Sequence, residues 1–233
     1  MVGALGQPLL FWSIFGLGLG GAFRVPGAEG LDYLEYFYPG VLVMIVLFTS
    51  IFSTMSVIED RHAGFLQLAL VAPASRLALV LGKTLGGTAI ALVQAAVFLC
   101  FAKLAGFDPA RVAWLSLAAV LIAGAVGLTA LGLALAWLLD SVQGYHAVMS
   151  LLLIPMWVLS GAMFPAAHSA PVLGSLMRWN PMTYIVCATR RALAGGEVPD
   201  ALAIATPAVE LVVVVAFAVI ALGACVAVCS RRR

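Results

Sequence analysis

Long apolar runs, broken by short charged interruptions, dominate the chain from its first residues to its last. A helix crossing a hydrocarbon core needs about 20 predominantly apolar residues. Six stretches meet that length: about 3–23, 39–58, 77–102, 112–139, 147–164 and 208–229. Gly16 with Gly20, Gly82 with Gly86, and the face Ala119, Ala123 and Gly127 are spaced for close helix contact. Tyr33, Tyr36, Phe37 and Tyr38 precede the second span and read as headgroup-level rings. Lys83 falls in the first turns of the third span, where a long stem can snorkel outward. Pro155 is expected to kink the fifth span, because proline removes a helix hydrogen bond.

Two stretches fit neither span nor plain loop. Between spans 2 and 3, residues 59–76 carry Glu59, Asp60, Arg61 and Arg76 around an apolar middle too short to cross a membrane. Pro73 ends any helix there, since the residue before proline is pushed out of the α region. Ser75 is placed to cap the next helix. The expectation is a short interfacial or docking helix over Ala63–Ala72. From Pro165 to Asp200, four prolines and three arginines alternate with apolar pieces, Val172–Met177 and Met182–Ala188. Such pieces suit short helices that dip into the membrane against protein.

Composition agrees with the pattern. Of 233 residues only 9% are charged, 64% are hydrophobic, and mean hydropathy is +1.14. Soluble domains carry about 25% charged residues. An ordinary soluble enzyme, a disordered chain and a nucleic-acid binder are excluded, and membrane lipid is the expected surrounding. Six spans and short loops leave no room for a separate soluble catalytic domain. Energy must therefore come from another subunit or an ion gradient. The run ahead of Arg24 lacks the basic start of a cleavable signal and reads as a retained span.

Lys and Arg divide evenly if both termini share one side. Arg61, Arg76, Lys83 and Arg231 to Arg233 fall on that side, and Arg24, Lys103, Arg111, Arg178, Arg190 and Arg191 on the other. The terminal arginine triplet, set directly against a span, favours both termini inside.

Candidate chemistry is sparse. Gly82-Lys83-Thr84 lacks the glycine a phosphate-binding loop needs at Leu77. His62, His146 and His168 show no zinc-site spacing. Cys100, Cys187, Cys225 and Cys229 read as small apolar residues. Asp140 and Glu210 sit near span ends, whereas an ion-driven carrier would more usually place an acid mid-span.

Three motifs carry a family resemblance. The first is Glu59-Asp60-Arg61-His62-Ala63-Gly64-Phe65-Leu66 leading to Pro73, Arg76 and Gly82-Lys83. The second is Ser160-Gly161-Ala162-Met163-Phe164-Pro165, then Trp179-Asn180-Pro181-Met182-Thr183-Tyr184, Arg190 and Gly195. The third is the Tyr-x-x-Pro-Gly entry at Tyr36 to Gly40. Together they resemble the membrane subunits of type 2 ABC exporters, including drug-resistance, nodulation-factor and polysaccharide-export permeases.

The resemblance implies an all-α integral membrane domain over the whole chain. It would have six spans, a cytoplasmic coupling helix between spans 2 and 3, and short re-entrant helices between spans 5 and 6. It implies an exporter permease working as a dimer, with a second copy or close paralogue, driven by separate ABC ATPase subunits. ATP and Mg would belong to that partner, leaving no cofactor, metal or catalytic residue in this chain. Glu59, Asp60, Arg61, Gly64, Phe65, Leu66, Leu68 and Pro73 would couple to the ATPase. The alternative for that helix is simply to lie on lipid. Ser160, Gly161, Phe164, Pro165, Asn180, Pro181, Tyr184 and Arg190 would shape the re-entrant block. The implied location is a bacterial or archaeal cytoplasmic membrane. One departure stands out: relatives begin with a basic amphipathic helix, and here only Met1 to Gln7, uncharged, precede the core of span 1. An ion-coupled carrier or channel, and a non-transporting assembly factor, remain the rival readings.

Overall fold

A computed structural model describes residues 2–20, 30–64, 76–166, 169–196, 198–199 and 202–231. All regular structure among them is helical. The elements are α1 (Val2–Gly20), α2 (Tyr33–Thr54), α3 (Ser56–His62), α4 (Arg76–Leu99), α5 (Trp114–Leu138) and α6 (Val142–Trp157). A π-type turn, Val158–Ala162, follows α6, then α7 (Pro171–Trp179), α8 (Pro181–Leu193) and α9 (Pro207–Arg231).

Five helical stretches are long and apolar enough to cross a membrane: Tyr33–His62, Arg76–Leu99, Trp114–Leu138, Val142–Ala162 and Pro207–Arg231. α1 has a shorter apolar stretch, Pro8–Gly18. The expected docking helix over Ala63–Ala72 lies almost wholly outside the described residues, as do Phe65, Leu66, Leu68, Pro73 and Ser75.

α2 is the hub. It packs against α1, α4, α5 and α8, and its run from Tyr36 to Leu47 is buried throughout. The tyrosines and Phe37 at the start of α2 are buried within the protein. Tyr38 donates to the Phe98 carbonyl at 2.8 Å and stacks on the Phe98 ring. Trp12 of α1 donates to the Leu34 carbonyl and meets Tyr38 edge-on. Neighbouring helices supply partners for these rings.

Apolar side chains gain little from leaving lipid for one another, so close backbone approach decides which helices touch. Gly127 marks the α5–α9 crossing: a Cβ there would lie 2.7 Å from the Phe217 ring. Gly87 marks the nest of α4 between Ser53 and Thr129. Gly82 and Gly86 face open space, so the close-packing face of α4 is one residue away from the expected one. Some polar groups inside are hydrogen-bonded, while the Ser50, Thr84, Thr88 and Thr189 hydroxyls and Arg190 Nε find no partner among the described residues. The Tyr145 hydroxyl donates to the Ile51 carbonyl at 3.0 Å and lies 2.7 Å from the Thr54 hydroxyl, tying α6 to α2.

The contacts of Asp60 with Lys83, Tyr38 with Phe98, Arg61 with Ala136, Tyr145 with Ile51 and Trp157 with Gly40 show that α2, α4, α5 and α6 alternate in direction. α3, the start of α4, the α5–α6 turn and the end of α9 gather at one end. The starts of α2, α5 and α9, the π-type turn, α7 and α8 gather at the other.

Candidate functional site

The first candidate region is the end that holds α3. Gly64 ends the helix with φ +77°, and its N–H donates to the Arg61 carbonyl at 3.2 Å. A left-handed glycine is the usual way to stop a helix sharply. Arg61 turns back onto the α5–α6 connection. Its guanidinium donates to Asp140 at 2.7 Å and to the Leu139 and Ala136 carbonyls, and it lies 5.5 Å from the Trp137 ring centroid. His62 Nε2 is 2.9 Å from the Asp140 carbonyl oxygen. Asp60 faces the other way and pairs with Lys83 of α4 at 2.7 Å. Lys83 therefore does not snorkel freely; Asp60 and the Ser56 hydroxyl hold it. Arg76, at the start of α4, donates to the Cys229 and Ser230 carbonyls at the end of α9. Glu59 is exposed. Consecutive residues on one short helix thus grip α4 and the α5–α6 turn.

The second region is the opposite end. α6 runs without interruption through Pro155, and the break falls four to six residues later, at Leu159 (ψ 15°) and Gly161 (φ +77°). Only glycine adopts such a φ at no steric cost. A break in lipid exposes carbonyls that must find donors. Asn180 supplies two: its Nδ2 donates to Met156 O at 2.6 Å and Leu159 O at 3.1 Å. Its Oδ1 accepts from the Met182 N–H at 3.0 Å and caps α8, with Pro181 at the first helical position. Thr183 adds a bond to Leu159 O.

The Gly161 carbonyl accepts from Tyr36 Oη at 2.7 Å and from Arg190 Nη2 at 3.1 Å. The Arg190 guanidinium also lies 4.5 Å from the Tyr36 ring centroid. Trp157 donates to the Gly40 carbonyl at 2.8 Å, where a Cβ on Gly40 would come within 2.6 Å of Ala162 Cβ. Tyr184 Oη donates to Arg178 O at 2.8 Å, joining α8 to α7. Ser160 is buried and donates to Trp157 O. Pro165 is buried and accepts from Ser169, while Phe164 is half-buried.

Ser160, Gly161, Asn180, Pro181 and Arg190 thus converge on one helix break, with Tyr184 on its outer side. Sequence reasoning missed the burial of Arg190, although Met182, Val186, Arg190 and Leu193 fall at helical spacing and are all buried. It also missed the bidentate pair between Arg191 and Glu210, 3.0 and 3.1 Å apart. That hydrogen bonding holds the Arg191 guanidinium above its ordinary pKa. Burial pushes the Cys187 thiol up to about 11, which leaves it neutral and unreactive. No group of His, Cys, Asp and Glu suited to a metal ion occurs among the described residues.

Five helices long and apolar enough to cross a membrane, joined by two tight polar nodes, define a multi-pass membrane protein. The chain belongs to the ABC-2 type transporter family, which it matches over residues 2–193. It is 30% identical over 193 residues to a protein of Cyanophora paradoxa named as the transport permease ycf38, covering 80% of this chain and 65% of that one. The chain thus matches a little under two thirds of that relative. It is 26% identical over 217 residues to Nodulation protein J of Neorhizobium galegae, covering 86% of this chain and 76% of that protein.

Proposed function

We propose that this chain is the permease subunit of an ATP-driven exporter, pairing with a second permease copy around a pathway and with separate ATPase subunits. The observation that carries the reading is the grip of α3. Asp60 holds α4 and Arg61 holds the α5–α6 turn, so a push on the segment after Gly64 reaches three spans at once. In this reading the segment after Gly64 docks on the ATPase, with Phe65, Leu66 and Leu68 as anchors and Glu59 as an exposed steering charge. α7 and α8 are the re-entrant pair. α1 is the sixth span, and both termini lie on the cytoplasmic side of a bacterial or archaeal inner membrane.

A second observation favours a paired arrangement. The outward face of α6 carries Gln143, His146 and Ser150, and Phe52 of α2 lies beside His146. Polar side chains facing hydrocarbon are costly, so this face suits a partner copy or a wetted pathway.

The test is reconstitution with and without a candidate ABC ATPase subunit. Alone, the chain hydrolyses no ATP. With the partner, Gly64→Asp or Leu66→Asp abolishes transport and ATPase binding, and Arg61→Ala leaves hydrolysis running while transport falls. Flux that persists without any ATPase subunit, or that collapses with an uncoupler at constant ATP, overturns the reading.

A further inference from the structure

A cavity of about 520 Å³ opens between the starts of α5 and α9 and the end of α8. Its walls are apolar, with Leu115, Ala119, Ala188, Ala208 and Leu211. Its floor is the Arg191–Glu210 pair. Glu210 is fully buried in the first turn of α9, and the Arg191 side chain is 16% exposed. Arg191 spends Nε and Nη2 on the carboxylate, and Nη2 also reaches Ala205 O at 3.2 Å. Nη1 donates to no described residue.

Burying an ion pair costs desolvation that the pair itself only roughly repays. Inside a membrane protein such a pair is a functional-site hypothesis by default. The pair is neutral as a unit. An anion would meet Glu210, and a cation would meet Arg191. What the floor lacks is an uncharged acceptor for Nη1. The volume lies in the range of small-molecule sites, which combine apolar walls with a few orienting polar groups.

The surroundings supply one such ligand. α9 turns Val212, Val215 and Val219 outward, an apolar face beside the cavity mouth. Trp114, half exposed at the start of α5, donates its ring N–H to Pro109 O and marks the interface level. Lipid ester carbonyls lie just beneath that level. We propose that the cavity is a structural lipid site: one acyl chain of a bilayer glycerolipid fills it, and an ester carbonyl of that lipid accepts from Arg191 Nη1. The site is independent of the energy source or direction of transport.

The full chain, reconstituted in phosphatidylcholine nanodiscs, would be illuminated with a trace of phosphatidylcholine carrying a diazirine near its ester. Adducts should concentrate at residues 115–120 and 208–211. Ala119→Trp fills the cavity from an exposed position and should cut those adducts about tenfold, the equivalent of about 1.4 kcal/mol, without shifting the melting temperature. Ala208→Trp is the second variant, should the first fail to fold. Ether-linked phosphatidylcholine, with the same chains and no carbonyl, should compete about tenfold less well than the ester lipid. Adducts spread evenly along α9 and indifferent to either tryptophan overturn the proposal. Equal competition by ether and ester lipid also overturns it.

Discussion

Asn180 is the residue on which the helix break depends most directly. One amide caps α8 with its oxygen and covers two carbonyls of the broken α6 with its nitrogen. Asn180→Ala removes a cap and leaves two acceptors unpaired, at a cost of about 1–3 kcal/mol. The melting temperature in detergent should fall accordingly. Asn180→Asp is no rescue, because a carboxylate keeps the cap but donates nothing to Met156 or Leu159. A melting temperature for Asp equal to wild type would contradict this account. The family resemblance marked Asn180 and Pro181 as shaping the re-entrant block, and both residue types do favour helix starts. It gave no sign of the two carbonyls, because they are freed by a break more than twenty residues earlier.

At the scale of elements, the meeting of α2 with the π-type turn has no slack. Trp157 bonds the Gly40 carbonyl, and Ala162 occupies the space a Gly40 side chain would need. Gly40→Val should separate the two elements and destabilise the fold by about 1–3 kcal/mol. Proteolytic cleavage at the turn should then accelerate, and unchanged cleavage would show that the contact is dispensable. The apolar lengths in the sequence match five helices long enough to span, because hydrocarbon thickness imposes such lengths, while the first expected span has only a shorter apolar stretch. The inner and outer faces were harder to read. In lipid both faces of a helix are apolar, so Gly82 and Gly86 looked as good a contact as Gly87. The kink was assigned to Pro155 because proline is visible in a sequence, whereas a left-handed Gly161 is set by the donors that gather on it.

At the scale of the molecule, charge is concentrated at two poles. One pole has Arg61, Asp140, Lys83 and Asp60 tying α3 to its neighbours. These pairs are partly exposed, so each contributes only about 0–1 kcal/mol to stability. Asp60→Ala should therefore barely move the melting point while weakening the link between α3 and α4. Hydrogen exchange slow at wild-type α3 and faster in the variant would report that loosening, and unchanged exchange would count against it. Sidedness follows from the same poles. In a cysteine-free background, Gly64→Cys and Ser230→Cys should react with an impermeant thiol reagent from one face of a sealed vesicle, and Arg111→Cys from the other. Equal charge at the two ends hid this from counting alone. The contacts of Arg61, Arg76 and Lys83 resolve which groups share an end.

The one-sided seating of α9 also bears on how the protein is made. Its most apolar stretch is only 22% buried inside the protein, and α5 is its main neighbour. α9 leaves the ribosome after α5 and α8, so Arg191 waits at the membrane edge without Glu210 until translation reaches residue 210. A nascent chain stalled before Pro207 therefore carries Arg191 without its carboxylate partner.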